Sequence, residues 1–183
     1  MDYNFNFDAV WRDFDLLLSG LGLGIILAFI SILIGSLIGL FAAFAMLSKN
    51  SFIRRIAVTY VTAIRNTPIL VLIFFVFFAL PQLGVRLGKI DSFIFTLTIY
   101  SGAYLTEVFR GGLIALPPGL HDAGLAVGLT EWKTKIYIII PVMIRNVLPA
   151  LSNNFISLFK DTSLAAAIAV PELTFYARQI NVN

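Results

Sequence analysis

LLLSGLGLGIILAFISILIGSLIGLFAAFAMLS, residues 16–48, contains not one charged side chain. An α-helix needs about 20 apolar residues to cross the hydrocarbon of a bilayer, so this run supplies one full crossing with length left over for tilt. Its reading decides the fold class. A segment this apolar and this long belongs in lipid, where a helix satisfies every backbone polar group within itself. The whole chain agrees: 59% of its 183 residues are hydrophobic and 13% are charged, against roughly 25% charged in soluble domains. Mean hydropathy is +0.92. Within the run, Ser31, Gly35, Gly39 and Ala43 recur at every fourth position. Such a ridge lets a second helix approach closely, although glycine is also frequent in membrane helices for no special reason.

Working outward, residues 1–15 (MDYNFNFDAVWRDFD) are acidic and lack the basic n-region of a cleavable signal. The first span is therefore expected to stay as an anchor, with about residues 1–15 outside. Beyond Ser48, Lys49, Arg54 and Arg55 mark a cytoplasmic loop. The next apolar stretch, Ile56 to Leu80, is interrupted by Arg65-Asn66-Thr67-Pro68, and Pro68 has no N–H to continue a helix. Gly84 to Asp91 reads as an external loop and Ser92 to Phe109 as a third span. Glu107 and Arg110 share one face near its inner end, in the manner of an interfacial ion pair. Leu116-Pro117-Pro118-Gly119 stops that helix.

A fourth span is expected from Ile136 to Phe159, with Arg145 snorkelling from it. Lys160-Asp161-Thr162 then breaks the pattern before an apolar segment, Ser163 to Val170. The closing LTFYARQINVN is too short and too polar to cross again. With the 48–55 loop inside, Lys49, Arg54, Arg55, Arg110, Lys133 and Lys135 lie on the cytoplasmic side, against Arg12, Arg86 and Lys89 outside. That excess sets an external N-terminus and an internal 110–135 loop.

Covalent chemistry finds no support. There are no cysteines, and His121 is the only histidine, too little for a metal site. Neither GxSxG nor HExxH occurs, and Gly84 to Lys89 has the wrong spacing for a phosphate-binding loop. The net charge of +3 forms no basic stripe, which argues against a nucleic-acid partner. No catalytic residue, metal or bound cofactor is therefore expected.

The internal loop carries HDAGLAVGLTEWKTKIYIIIP, residues 121–141. Its residues predict a short helix over Leu120–Val127, closed by Gly128 in a left-handed cap. Thr130 is placed to N-cap a new helix beginning at Glu131. Ala123, Gly124 and Val127 fall on one smooth face that a partner could approach. A helix resting on lipid would instead carry basic residues on its polar face, and His121 and Asp122 do not supply them.

These residues resemble the EAA loop, E-A-A-x3-G-x9-I-x-L-P, of permease subunits of bacterial ATP-binding-cassette importers. The chain reads Asp122-Ala123-Gly124, Gly128, then Ile138-x-Ile140-Pro141, with each interval kept. RNTPILV (65–71), AYLTEVFRGG (103–112) and KDTSLAAAIAVPEL (160–173) are similar to the polar amino-acid branch of that family. The resemblance implies a type I importer permease fold: an all-α integral membrane protein of about 4 to 5 spanning helices with a short cytoplasmic coupling helix. It implies one permease domain over 1–183, with the coupling loop at about 117–141, in the inner membrane of a bacterial cell. Asp122, Ala123, Gly124, Gly128 and Pro141 would couple the chain to a separate ATPase subunit that carries the ATP and magnesium. The further partners implied are a second permease subunit, identical or related, an external solute-binding protein, a polar amino acid and the lipid bilayer. Relatives usually continue past VPEL into one more span, so either the sequence is a fragment or that span is missing.

Polar residues at membrane depth are costly and are candidates for function. Arg65, Asn66 and Thr67 would line the translocation pathway, or pack helices and anchor at the interface. For Asn153 and Asn154 the competing reading is hydrogen bonding between helices. Lys160, Asp161, Thr162 and Ser163 open the terminal segment, where Asp161 could equally cap a helix or meet a substrate's charge. Two other function classes are a scaffold that binds its ATPase without transporting, and an ion-driven carrier. The carrier predicts inverted repeats, which the sequence does not display.

Overall fold

The computed structural model describes residues 7–180. Among the described residues every regular element is helical. A short α1 (Phe7–Arg12) precedes α2 (Phe14–Met46), 33 residues long, which realises the uncharged run as one helix. Asn50 caps α3 (Ser51–Arg65), its side chain accepting from the N–H groups of Phe52 and Ile53. The helix ends where Pro68 forbids its continuation, and α4 (Ile69–Phe74) starts directly after it. It runs on as a π-helical turn (Phe75–Ala79) and a 3-10 turn (Leu80–Leu83). Then come α5 (Lys89–Ile114), α6 (Gly119–Ala126) and α7 (Glu131–Thr134). A second π segment (Lys135–Ile139) joins α7 to α8 (Ile140–Lys160), a 3-10 segment (Asp161–Ile168) follows, and α9 (Leu173–Ile180) comes last.

By length and composition, α2 and the continuous helical stretch Glu131–Ile168 each suffice to cross a membrane, and the broken pair Ser51–Arg65 with Ile69–Leu83 would make a third. Helix α5 has 26 residues, about 39 Å of rise. Its weaker hydropathy has a physical cause. Ser92, Phe93, Thr96, Leu97, Ser101, Ala103, Leu105 and Thr106 are all buried, so protein rather than lipid surrounds its hydroxyls. Thr96 and Thr106 return theirs to the carbonyls of Ser92 and Gly102 in the preceding turn.

Several expected boundaries shift. The third span extends three residues back to Lys89, into the expected external loop, and on to Ile114, because Gly111 and Gly112 continue the helix until Pro117 stops it. The helix that leads into the fourth span begins at Glu131, capped by Thr130 as expected, five residues ahead of the span's expected start at Ile136. The apolar segment Ser163 to Val170 lies mostly in the tighter 3-10 winding. Both π segments sit just before a proline. The rings of Pro81 and Pro141 would meet the carbonyls of Phe77 and Tyr137, four residues back, and widening the turn relieves that clash.

The chain divides into two compact units, residues 1–33, 67–98 and 157–183, and residues 34–66 and 99–156; α2, α5 and α8 each contribute to both. In the first unit, Gly20 lies so close to the final helix that a Cβ there would stand 2.8 Å from the backbone of Glu172 and Leu173. Glu172, 2% exposed, turns its carboxylate back to accept from the N–H groups of Thr174 and Phe175, which starts α9. Ser31 donates to the Ile94 carbonyl at 3.4 Å. In the second unit, a Cβ on Gly39 would meet the Gly102 carbonyl oxygen at 3.0 Å, and Tyr60 donates to the Ile99 carbonyl at 2.6 Å. Ser31, Gly35, Gly39 and Ala43 are buried, whereas Phe29, Leu33, Leu37 and Phe41 of the same helix are exposed. The small-residue register is a packing face.

Candidate functional site

The 117–141 loop is built as its residues dictate. After Pro118, α6 runs for two turns and closes at Gly128, whose φ of +86° is open to glycine at little cost. The Gly128 N–H donates to the Leu125 carbonyl and the Leu129 N–H to the Gly124 carbonyl, the paired bonds of a Schellman cap. Among the described residues, none but its chain neighbours lies within 4 Å of where a Gly128 Cβ would stand, so the demand here is conformational alone. The Thr130 hydroxyl accepts from the Lys133 N–H at 3.4 Å and opens α7.

Across this turn His121 meets Glu131, Nε2 to Oε2, at 2.9 Å. That hydrogen bond, with the adjacent Asp122 carboxylate, raises the imidazole's pKa above its ordinary value. Asp122, Ala123 and Val127 are exposed, Val127 to 76%. Gly124 is not on that face. It is buried against Thr134 and Ile138, so the smooth surface expected of Ala123, Gly124 and Val127 consists of Ala123 and Val127, with Gly124 turned inward. Pro141 stands exposed near the start of α8, directly after the π segment that relieves its ring's clash with the Tyr137 carbonyl. The α6 face can seat in a groove on a partner through apolar contact and one carboxylate, and it holds no reactive group.

The polar residues elsewhere divide into those already satisfied and those open. Arg65, at the end of α3, lies 3.9 Å from Glu107 of α5 and places its guanidinium over the Tyr104 ring at 5.3 Å. Arg110 binds the same carboxylate through two donors, at 2.6 and 3.0 Å. The pair read from the sequence is thus a three-residue network, half-buried rather than a loose surface contact. Asn66 supplies its backbone to close α3 and is exposed, and Thr67 is intermediate in exposure.

Asn154 donates to the Ala150 carbonyl of its own helix, not to another helix, and Asn153 is exposed. Thr162 is buried beside Gly24 and donates to the Phe159 carbonyl at 2.7 Å. Asp161 makes no capping bond. Lys160, Thr162 and Ser163 line a cavity of about 310 Å³ with Glu172 and Thr174. The 3-10 run holding Asp161, Thr162 and Ser163 has eight members, where runs beyond three or four are uncommon and often mark a functional hinge. Sequence reasoning missed Tyr104 and the partnership of Arg65 with Glu107; the available sign was an isolated charge in an apolar stretch, which demands a partner.

Comparison with known proteins follows the same lines. The pattern of the family described as "Binding-protein-dependent transport system inner membrane component" matches residues 35–182. The glutamine transport system permease protein GlnP of Escherichia coli (strain K12) is 36% identical over 178 residues, covering 96% of this chain and 81% of that protein. The L-cystine transport system permease protein TcyB of Bacillus subtilis (strain 168) is 38% identical over 174 residues, covering 94% and 74%. A crystal structure of an amino acid ABC transporter with histidines superposes with a TM-score of 0.86 at 33% identity, covering 98% of this chain and 84% of that one.

Proposed function

The chain belongs to the family of binding-protein-dependent transport system inner membrane components, and on that premise we propose that α6 is the lever through which a separate ATPase drives it. It is an all-helical permease subunit of an ATP-binding-cassette importer in a bacterial inner membrane. Polar amino acids are its substrate class, a reading supported by the glutamine and cystine permeases it resembles. Residues 1–183 act as one permease domain, with residues 1–15 outside and the 117–141 loop in the cytoplasm. The chain itself binds no cofactor. ATP with magnesium is held and hydrolysed on the partner ATPase, substrate is delivered by an external binding protein, and a second permease subunit completes the core.

The observation that carries the coupling role is the exposed Asp122 and Ala123 of the eight-residue α6, with the exposed Val127 at its C-cap, on a helix closed by the Schellman turn at Gly128. A short rigid element presenting apolar surface transmits a push without absorbing it, which is what rigid-body gating requires. Lys160, Thr162 and Ser163, which line a cavity, their neighbour Asp161, and Arg65, Asn66 and Thr67, at the helix break, contribute polar groups to the pathway together with Asn153 and Asn154.

Gly128→Asp in the assembled transporter tests this. Uptake of radiolabelled glutamine with the cognate binding protein is expected to vanish and ATPase association to weaken, while membrane insertion stays intact. Uptake at the normal rate would overturn the coupling role.

A further inference from the structure

A pocket of about 230 Å³ opens where three apolar helix ends meet the polar loop. Phe44 and Leu47 of the α2 end, Leu113 and Leu116 of the α5 end, and Ile139 form its walls; His121 and Lys135 stand among its lining residues. The sequence marks this level as a boundary between water and hydrocarbon. Lys135 is the last charge before the run IYIIIPVMI, and Leu47 is followed by Ser48-Lys49. Trp132 and Tyr137 flank Lys135 and are 69% and 68% exposed, the amphipathic rings that gather at membrane interfaces.

Lys135 is held ready. Its ammonium lies 5.9 Å from the Phe44 ring centre and 5.6 Å from that of Trp132, and among the described residues no carboxylate stands within ion-pairing distance. Glu131, the acid of this turn, is bonded to His121 and attracts Lys135 only from beyond ion-pairing distance. Cation–π contacts fix the ammonium's position without neutralising it. A fixed cation above an apolar cleft is complementary to an anionic head joined to a hydrocarbon tail. The volume is below the ~300–1,000 Å³ of sites that enclose a drug-sized ligand, so the occupant enters in part and leaves the remainder in the bilayer.

We propose that this pocket is a binding site for an acidic phospholipid, whose phosphate is bound by Lys135 and whose first methylenes fill the cleft between Phe44, Leu113 and Ile139. The lipid would bridge the ends of α2 and α5 to the loop that carries α6. The site is independent of the coupling role, because it is read out by lipid preference and not by uptake.

The test uses the full chain with Trp11→Phe, which leaves Trp132 as its only tryptophan. It is reconstituted in phosphatidylcholine vesicles containing increasing fractions of brominated phosphatidylglycerol or, separately, brominated phosphatidylcholine, and quenching of Trp132 is followed. Phosphatidylglycerol is expected to reach half-quenching at about a fivefold lower fraction, the worth of one lysine near an anionic surface. Lys135→Gln should make the two lipids equivalent, Lys135→Arg should keep the preference, and soluble inorganic phosphate should not compete. Equal quenching by the two lipids in the parent protein would overturn the proposal, as would an unchanged preference in Lys135→Gln or displacement by free phosphate.

Discussion

Gly124 and Thr134 are packed so closely that a Cβ on the glycine would stand 2.5 Å from the threonine Cγ2 and 2.9 Å from its Oγ1. Thr134 is wholly buried, and among the described residues its hydroxyl has no hydrogen-bond partner. The loop therefore trades a satisfied hydroxyl for close approach of α6 to α7. Gly124→Ala is expected to lower stability by about 1–3 kcal/mol, the cost of overpacking a filled site. Thr134→Ala removes both obstructing atoms and the unpaired hydroxyl, so the double variant should recover most of the loss. Thermal unfolding of the four proteins in one detergent measures the coupling between the sites. Additive losses would show that the two residues do not clash.

The second prediction concerns pH. His121 faces Glu131 across the turn and Asp122 beside it, with Lys135 lining the same pocket. Its pKa is raised, chiefly by the hydrogen bond to Glu131, above the ordinary 6.5. A group with a raised folded pKa contributes stability that is fully present below the unfolded value and lost as pH rises through the folded one. The α6–α7 turn should accordingly be held more firmly on the acidic side of that window. Amide exchange at Val127–Leu129, corrected for intrinsic rate, should speed up as pH rises through it, and His121→Gln should abolish the trend. A trend that persists in His121→Gln would assign it to another group.

Glu107 anchors two cations unequally, and that inequality can be measured. Arg110 makes two short bonds to it, whereas Arg65 approaches only to 3.9 Å with 42% of its side chain exposed. Arg110→Gln should cost about 1 kcal/mol, and Arg65→Gln only a few tenths. Glu107→Gln should exceed both, since it leaves two guanidinium groups without their shared counter-charge. Denaturation midpoints at low and high salt give the order. Equal losses for the two arginine variants would mean that Arg65 is bound as tightly as Arg110.

How much of this was legible beforehand depends on whether the determinant was local. Gly128, Thr130 and Pro68 act within a few residues, and their cap, N-cap and break stand where the sequence put them. The small-residue register on α2 was equally readable, because backbone approach needs missing side chains whichever helix arrives. What could not be read was the identity of the arriving element. Gly124 was assigned outward because Thr134 lies ten residues ahead, and nothing in the local pattern reveals that α7 folds back over it. The 3-10 winding of Asp161–Ile168 was likewise hidden, since its apolar composition suits several helical forms. The π segments were missed for a different reason: Pro81 and Pro141 were visible, but their effect falls on the preceding turn.

The face of α2 yields a prediction that separates packing from lipid exposure. At Gly39 an added Cβ would lie 3.0 Å from the Gly102 carbonyl oxygen, 3.1 Å from the Leu105 Cβ and 3.1 Å from the Thr106 nitrogen. Two of the three obstacles are backbone, which cannot rotate away. In lipid no hydrophobic force drives α2 onto α5, so close contact itself supplies the attraction. Gly39→Ala should lower the unfolding temperature measurably and Gly39→Leu should prevent recovery of folded protein. Leu37→Ala, two residues away and 54% exposed, should change little. Gly22 offers a second control on the same helix, since a Cβ there would meet nothing within 4 Å. A Gly22→Ala variant as damaging as Gly39→Ala would trace the loss to something other than the α2–α5 contact.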